Sequence, residues 1–334
     1  MSSLTLTLLI SFCFISNAMS ASITKATYKT IMDLTLKCGS DDEINNQDLD
    51  VSDIGVYFYN YEDSSKNVHR MPIKDAAQNI LIKNKLDKSK KFLVFVSGFN
   101  TNVGFNEATK IRNLFMKENS YLIILDHSSY TNKGSIYNAK YGMAVKHVKS
   151  IGKRLAQLLV DLYKGGVPAQ KIHAMGHSLG GQILGHVGAN FHKSTGKKIA
   201  RISSLDPAGP CFYTRPAEEQ IRSGVAEYVE VYHCNSGIFG TNSTLADVDF
   251  FMNDGKSQPA CDEETDVFRC SHNKCVDMWK QSVLDPKAFT AYKCDNYDDF
   301  IKNKCKESTT TGFRNPLKAK GQYYFSTKGF VGLW

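Results

Sequence analysis

Apolar and polar positions along the chain follow two periods. Short strand-type apolar runs recur at Ile54 to Tyr59, Phe92 to Val96, Tyr121 to Leu125, Ile172 to Met175, Ile199 to Leu205 and Tyr228 to Tyr232. Between several of them the apolar residues fall at helical spacing. In the clearest stretch Val148, Ile151, Leu155, Leu158, Leu159 and Leu162 share one helix face, and Gly165-Gly166 ends it. Strands alternating with helices predict an α/β protein: a largely parallel central sheet with helices on both faces. After about Tyr232 the pattern gives way to loops, cysteines and short elements. There, Ser308 to Thr311 reads as a solvated loop and Gly321 to Thr327 as a final strand. No linker or repeat divides the chain, so a single domain is expected.

Composition adds a compartment. The chain has 334 residues, 42% of them hydrophobic, enough for a substantial core. No uninterrupted apolar stretch reaches membrane-spanning length. The first twenty residues carry no charged side chain, contain the apolar run Leu4 to Ile15, and offer small residues for cleavage at Ala18-Met19-Ser20. Residues 1–20 are therefore expected to be a signal peptide, and 21–334 a secreted, extracellular domain. Of the nine cysteines Cys13 leaves with the signal, and the even remainder suggests disulfides. Cys261 with Cys270 and Cys294 with Cys305 each close a short loop, whereas pairing among Cys38, Cys211, Cys234 and Cys275 stays open. Cys270 and Cys275 find no second pair at zinc spacing, so no metal is expected. Asn242-Ser243-Thr244 is a glycosylation sequon in a polar stretch. The net charge of +8 could draw the protein to anionic lipid surfaces. Spread without a dense Lys/Arg block, the same charge equally serves solubility, and no nucleic-acid partner is expected.

The candidate chemistry centres on Gly176-His177-Ser178-Leu179-Gly180, which joins the run Ile172 to Met175 to the helical pattern Ile183, Leu184 and Val187. A Gly-x-Ser-x-Gly between strand and helix is a nucleophile elbow, a sharp turn that lifts a serine hydroxyl above the sheet. Serine attacks well only when a histidine takes its proton and a carboxylate orients that histidine. Asp206 ends the next strand run, just before Pro207-Ala208-Gly209-Pro210. A turn-capping aspartate is the plainer alternative, but its position one strand after the elbow favours the catalytic role. The downstream histidines are His233, inside an alternating strand run and so structural, and His272, which follows Cys270-Ser271. A disulfide at Cys270 would fix the loop that presents His272. Backbone donors for an oxyanion are expected from Leu179, after the serine, and from Phe99 in the loop Ser97-Gly98-Phe99-Asn100.

Five motifs then occur in a telling order: Phe95-Val-Ser-Gly-Phe-Asn100; Gly176-His-Ser-Leu-Gly180; Leu205-Asp-Pro-Ala-Gly-Pro210; Val248-Asp-Phe-Phe251 with Gln258-Pro-Ala-Cys261; and Cys270-Ser-His272. From roughly Val51 onward the chain resembles the pancreatic-lipase family, and most of all its insect members, including wasp-venom phospholipases A1. The resemblance implies an α/β-hydrolase fold, hydrolysis of lipid esters without a cofactor, a triad of Ser178, Asp206 and His272, and oxyanion donors at Phe99 and Leu179.

Departures from the family pattern refine these expectations. Ser97 and Gln182 stand where many members have histidine. Vertebrate members hold calcium through acidic residues after the position of Cys211, but Arg222 and Val225 fall at or near those places, so calcium is not carried over. The chain ends without the vertebrate C-terminal β-sandwich, and no colipase is expected. The segment at the family's lid is only Asp262, Glu263, Glu264, Thr265, Asp266, Val267, Phe268 and Arg269, short and acidic. A lid this short resembles the phospholipase A1 members. Release of the sn-1 fatty acid of phospholipids, in peripheral contact with a membrane surface, is thus the first expectation. Triacylglycerol or galactolipid hydrolysis is the second. A non-catalytic lipase-like protein that binds or stores lipid typically lacks triad residues, and this chain keeps all three.

Overall fold

Strand β3 explains the layered build. All its residues after Lys91 are buried, and they alternate between two cores: Phe92, Val94 and Val96 join one, Leu93 and Phe95 the other. A strand apolar on both faces must be covered on both. The structure, a computed structural model, describes residues 36, 38, 49–63, 67–83, 85–101, 104, 106–115, 118–132 and 137–333. The expected signal peptide and Cys13 lie outside the described residues.

The strands are β1 (Gly55–Asn60), β2 (Val68–Pro72), β3 (Lys91–Val96), β4 (Ser120–Asp126), β5 (Ile172–His177), β6 (Arg201–Leu205), β7 (Tyr228–His233), β8 (Val248–Met252), β9 (Thr290–Lys293), β10 (Glu307–Thr310) and β11 (Gly321–Phe325). They form one sheet in the order β10-β9-β11-β8-β7-β6-β5-β3-β4-β1-β2. The pairings from β4 through β3, β5, β6, β7 and β8 to β11 are parallel. The outer strands β1, β2, β9 and β10 pair antiparallel. The longer helices are α1 (Ile73–Lys83), α2 (Asn106–Leu114), α3 (Tyr137–Lys164), α4 (Leu179–Thr195) and α5 (Val267–Leu284). Apolar faces of α1, α3 and α4 fill one core; α2 and α5 cover the opposite face. This is the expected α/β-hydrolase fold, a single sheet with helices on both sides.

Helix α3 carries the periodicity read from the sequence. Its six stripe residues, Val148 to Leu162, are all buried, together contributing on the order of 10 kcal/mol of apolar transfer before entropy is counted. Gly166, at φ 97, ends the helix, and the Val167 amide donates back to the Leu162 carbonyl at 3.0 Å. That left-handed step is why a glycine stands there.

Disulfides join Cys261 to Cys270 and Cys294 to Cys305, as expected, and also Cys38 to Cys211 and Cys234 to Cys275, the pairing the sequence left open. One expectation is corrected. Glu307–Thr310 is not a loop but the edge strand β10, paired to β9. Its side chains are exposed or half-buried, so it shows no apolar alternation, yet its β-branched threonines suit an extended backbone.

Candidate active site

The carboxyl ends of the central parallel strands meet at one edge of the sheet, where open α/β sheets present their sites. Strand β5 ends at His177, and Ser178 turns the chain into α4 with φ 55 and ψ −121. A non-glycine residue holds such a backbone only under constraint, and the constraint comes from β6. The Ser178 amide donates to the Leu205 carbonyl at 3.0 Å, and the Ser178 carbonyl accepts from the Ala208 amide at 3.0 Å. Gly180 lets α4 cross β3, since a Cβ there would lie 2.1 Å from the Val96 carbonyl oxygen. Leu179 is the first residue of α4, so its N–H belongs to the helix end whose amides lack intrahelical partners.

The loop after β3 packs against the serine. A Cβ on Gly98 would stand 3.0 Å from the Ser178 Cβ, a tight contact that glycine avoids. The Asn100 amide donates to the Thr131 carbonyl at 3.2 Å, and the Thr101 hydroxyl to the Gly98 carbonyl at 2.7 Å, which sets the course of the loop. Phe99 meets Tyr141 edge to face at 5.2 Å, and the Tyr141 hydroxyl donates to the Pro210 carbonyl at 3.1 Å.

Asp206 follows β6 and is fully buried. Its Oδ1 accepts from the amides of Cys234 at 2.8 Å and Asn235 at 3.0 Å, while its Oδ2 lies 2.5 Å from Nδ1 of His272. Backbone donors offset the cost of burying a carboxylate. The disulfide Cys234–Cys275 ties the turn that holds Asp206 to α5, the helix that carries His272. Two residues before His272, Cys270 is bridged to Cys261. His272 is therefore flanked by two covalent anchors. The His177 ring packs against it, tilted by 39° with ring centres 4.6 Å apart, and Nε2 of His177 lies 3.1 Å from the His272 carbonyl oxygen.

Ser178, His272 and Phe99 line one cleft of about 580 Å³, which Tyr141, Phe239 and Val276 make partly apolar. The structure thus brings together Ser178, Asp206, His272 and the segments of Phe99 and Leu179. An imidazole oriented by a buried carboxylate, in one cleft with an elbow serine, is equipped for acyl transfer. His233 lies elsewhere, buried between Asp249 (2.8 Å) and the Thr241 carbonyl (3.1 Å), a structural setting. Asn242 is exposed between β7 and β8.

The lid segment needs a correction. Asp262 to Asp266 is exposed, but Val267, Phe268 and Arg269 form the first turn of α5, because the Asp266 side chain caps it by accepting from the Arg269 amide at 3.0 Å. Of these residues Arg269 alone lines the cleft. Sequence reasoning missed His177, Tyr141 and Lys110, which also line it. His177 was signalled by its place inside the elbow; Tyr141 and Lys110 approach only through helix packing.

The pattern of the family described as Lipase matches residues 29–320. The chain belongs to the lipase family. It is 33% identical to Lipase member H of Danio rerio over 180 residues, covering 53% of this chain and 38% of that protein. It is 30% identical to human Pancreatic lipase-related protein 2 over 226 residues, covering 58% and 47%. It is 29% identical to human Inactive pancreatic lipase-related protein 1 over 276 residues, covering 75% and 56%. In these lipase-family matches the chain spans about half the length of each relative or less. One relative bears the name inactive, so membership alone does not decide activity and the site must.

The calcium position of vertebrate lipases does not fit here. Val225 is buried, and the Arg222 guanidinium donates to the carbonyls of Ala217, Glu218 and Gln220 at 3.4, 3.0 and 3.3 Å. A fixed cation on those oxygens repels a second one.

Proposed function

We propose that this chain is a secreted phospholipase A1 that releases the sn-1 fatty acid of phospholipids, with Ser178 as nucleophile. The observation that carries the reading is a partly apolar cleft holding Ser178 and His272, beside a lid segment that the Cys261–Cys270 disulfide limits to eight residues, of which Arg269 alone lines the cleft. A lid so short and acidic has little apolar surface to offer an oil interface, whereas phospholipids present their esters at a hydrated surface.

In the proposed reaction His272 Nε2 takes the Ser178 proton as Oγ bonds to the sn-1 carbonyl carbon. Asp206, bonded to Nδ1, holds the ring in the required tautomer and stabilises the imidazolium. The amides of Leu179 and Phe99 donate to the oxyanion. The tetrahedral intermediate collapses, the ester C–O bond breaks, and His272 returns its proton to the departing lysophospholipid oxygen. Water, deprotonated by His272, then cleaves the acyl-serine and frees the fatty acid.

The test is hydrolysis of phosphatidylcholine with distinguishable sn-1 and sn-2 chains beside triolein, with and without EDTA. The reading expects sn-1 release that persists in EDTA, with triolein slow. Fast triolein turnover with inert phospholipid would move the assignment to a triacylglycerol lipase.

A further inference from the structure

Resting on the phospholipase reading, we infer that Arg269 and Lys110 form a clamp for the phosphodiester of the substrate headgroup at the mouth of the cleft. Both cations line the cleft that holds Ser178, and among the described residues that line it none is acidic. The side-chain amides of Asn100 and Asn273 line the same cleft and can donate hydrogen bonds to an anion. The cleft lining therefore offers two kinds of chemistry: the apolar side chains of Tyr141, Phe239 and Val276, suited to an acyl chain, and the two cations, suited to a phosphate.

The two cations come from different helices. Lys110 lies on α2 and Arg269 on the first turn of α5, and the helices are joined by the pair from Lys110 Nζ to Asp277 Oδ1 at 2.6 Å. Arg269 Nε lies 3.3 Å from Asp266 Oδ2. These carboxylates do not line the cleft. Asp266 and Asp277 line a neighbouring groove that shares Arg269 and Asn273 with it. The acids pair with the two cations from outside the cleft lining and partly offset their charge. Arg269 and Lys110 side chains are 63% and 41% exposed, and exposed ion pairs are weak. A doubly hydrogen-bonded phosphate can draw both cations over, Arg269 through its planar fork. A neutral glyceride offers no anion for them to hold, so the clamp makes the site select phospholipids rather than merely admit them.

The experiment uses the full chain and short-chain substrates below their micelle concentration, which removes adsorption to a surface. kcat/KM is measured for dihexanoylphosphatidylcholine and for p-nitrophenyl butyrate, and their ratio is compared across Arg269→Gln, Lys110→Gln, the double variant, Arg269→Lys and Lys280→Gln. Lys280 is exposed on the same helix and does not line the cleft, so its variant controls for lost net charge. The clamp predicts that the ratio falls roughly tenfold for each single Gln variant, and further for the double variant. Arg269→Lys recovers part of the loss, and Lys280→Gln leaves the ratio in place. Turnover of p-nitrophenyl butyrate reports that each variant is folded. A ratio unmoved by Arg269→Gln and Lys110→Gln, with wild type hydrolysing the phospholipid, overturns the clamp alone. A wild type that cleaves p-nitrophenyl butyrate but not the phospholipid overturns the phospholipase reading and the clamp with it.

Discussion

Three non-glycine residues with left-handed backbones stand at strand ends around the cleft: Asn100 at φ 59, Ser178 at φ 55 and Asp206 at φ 44. Each such residue typically costs on the order of 1–3 kcal/mol, and each is held by hydrogen bonds from a neighbouring strand or loop. The strain lies where the proposed reaction needs geometry. A different residue governs pH stability. Burial, with Lys149, Arg222 and Arg215 adding positive charge, pushes the imidazole of His186 down to about 4. His186 sits on α4 against α3, its Nε2 3.9 Å from Glu219. Because its folded pKa lies below the unfolded value of 6.5, the unfolded chain binds the extra proton first. Its contribution is therefore present above about pH 6.5 and is lost as pH falls toward 4. Unfolding by urea should show a loss on the order of 1–2 kcal/mol between pH 7 and pH 5 from this group. A His186→Gln variant should show a shallower decline, while buried His173, also held well below its usual range, preserves part of it. Identical pH slopes in wild type and variant would contradict this assignment.

At the scale of elements, α5 is the part that the chain takes most care to fix. Cys270 and Cys275 anchor it on either side of His272, and Gln258 braces the same corner, its side-chain amide donating to the Cys234 carbonyl at 2.8 Å and its backbone amide to the Ser271 hydroxyl at 3.0 Å. Closing a loop of 41 residues contributes roughly 4 kcal/mol by the chain-entropy model. The Cys234→Ala/Cys275→Ala double variant should lower the unfolding free energy by about that amount. It should also lower kcat, because Asp206 and His272 would no longer share a covalent frame; an unchanged denaturation midpoint would refute the first part. Strands β3 to β7 and the face of α3 were legible because burial on two faces, or on one helical stripe, writes a strong apolar pattern. The edge strands β2 and β10 and their neighbour β9 were not, since strands at the margin of a sheet need bury little and their residues look like loop. Cys261 and Cys294 betrayed their partners by short separation, while Cys38 and Cys211, 173 residues apart, meet only once the sheet has folded. Ser178, Asp206 and His272 were readable from motif and order, but Lys110 reaches the cleft through the packing of α2 on α5, which no local pattern records.

In the whole molecule two cores clamp one sheet, and the edge where its central parallel strands end carries the candidate chemistry. The net charge of +8 can assist approach to an anionic surface, an effect that salt would screen. No described helix is long and apolar enough to cross a membrane. The central claim is that Ser178 is an activated nucleophile. Its most direct test is labelling of the native protein with a serine-directed fluorophosphonate, followed by peptide mass spectrometry. The account predicts one stoichiometric adduct, on the peptide bearing Ser178, lost in Ser178→Ala together with essentially all lipid hydrolysis and strongly slowed in His272→Ala. No adduct on Ser178, or near-normal hydrolysis by a folded Ser178→Ala protein, would contradict it.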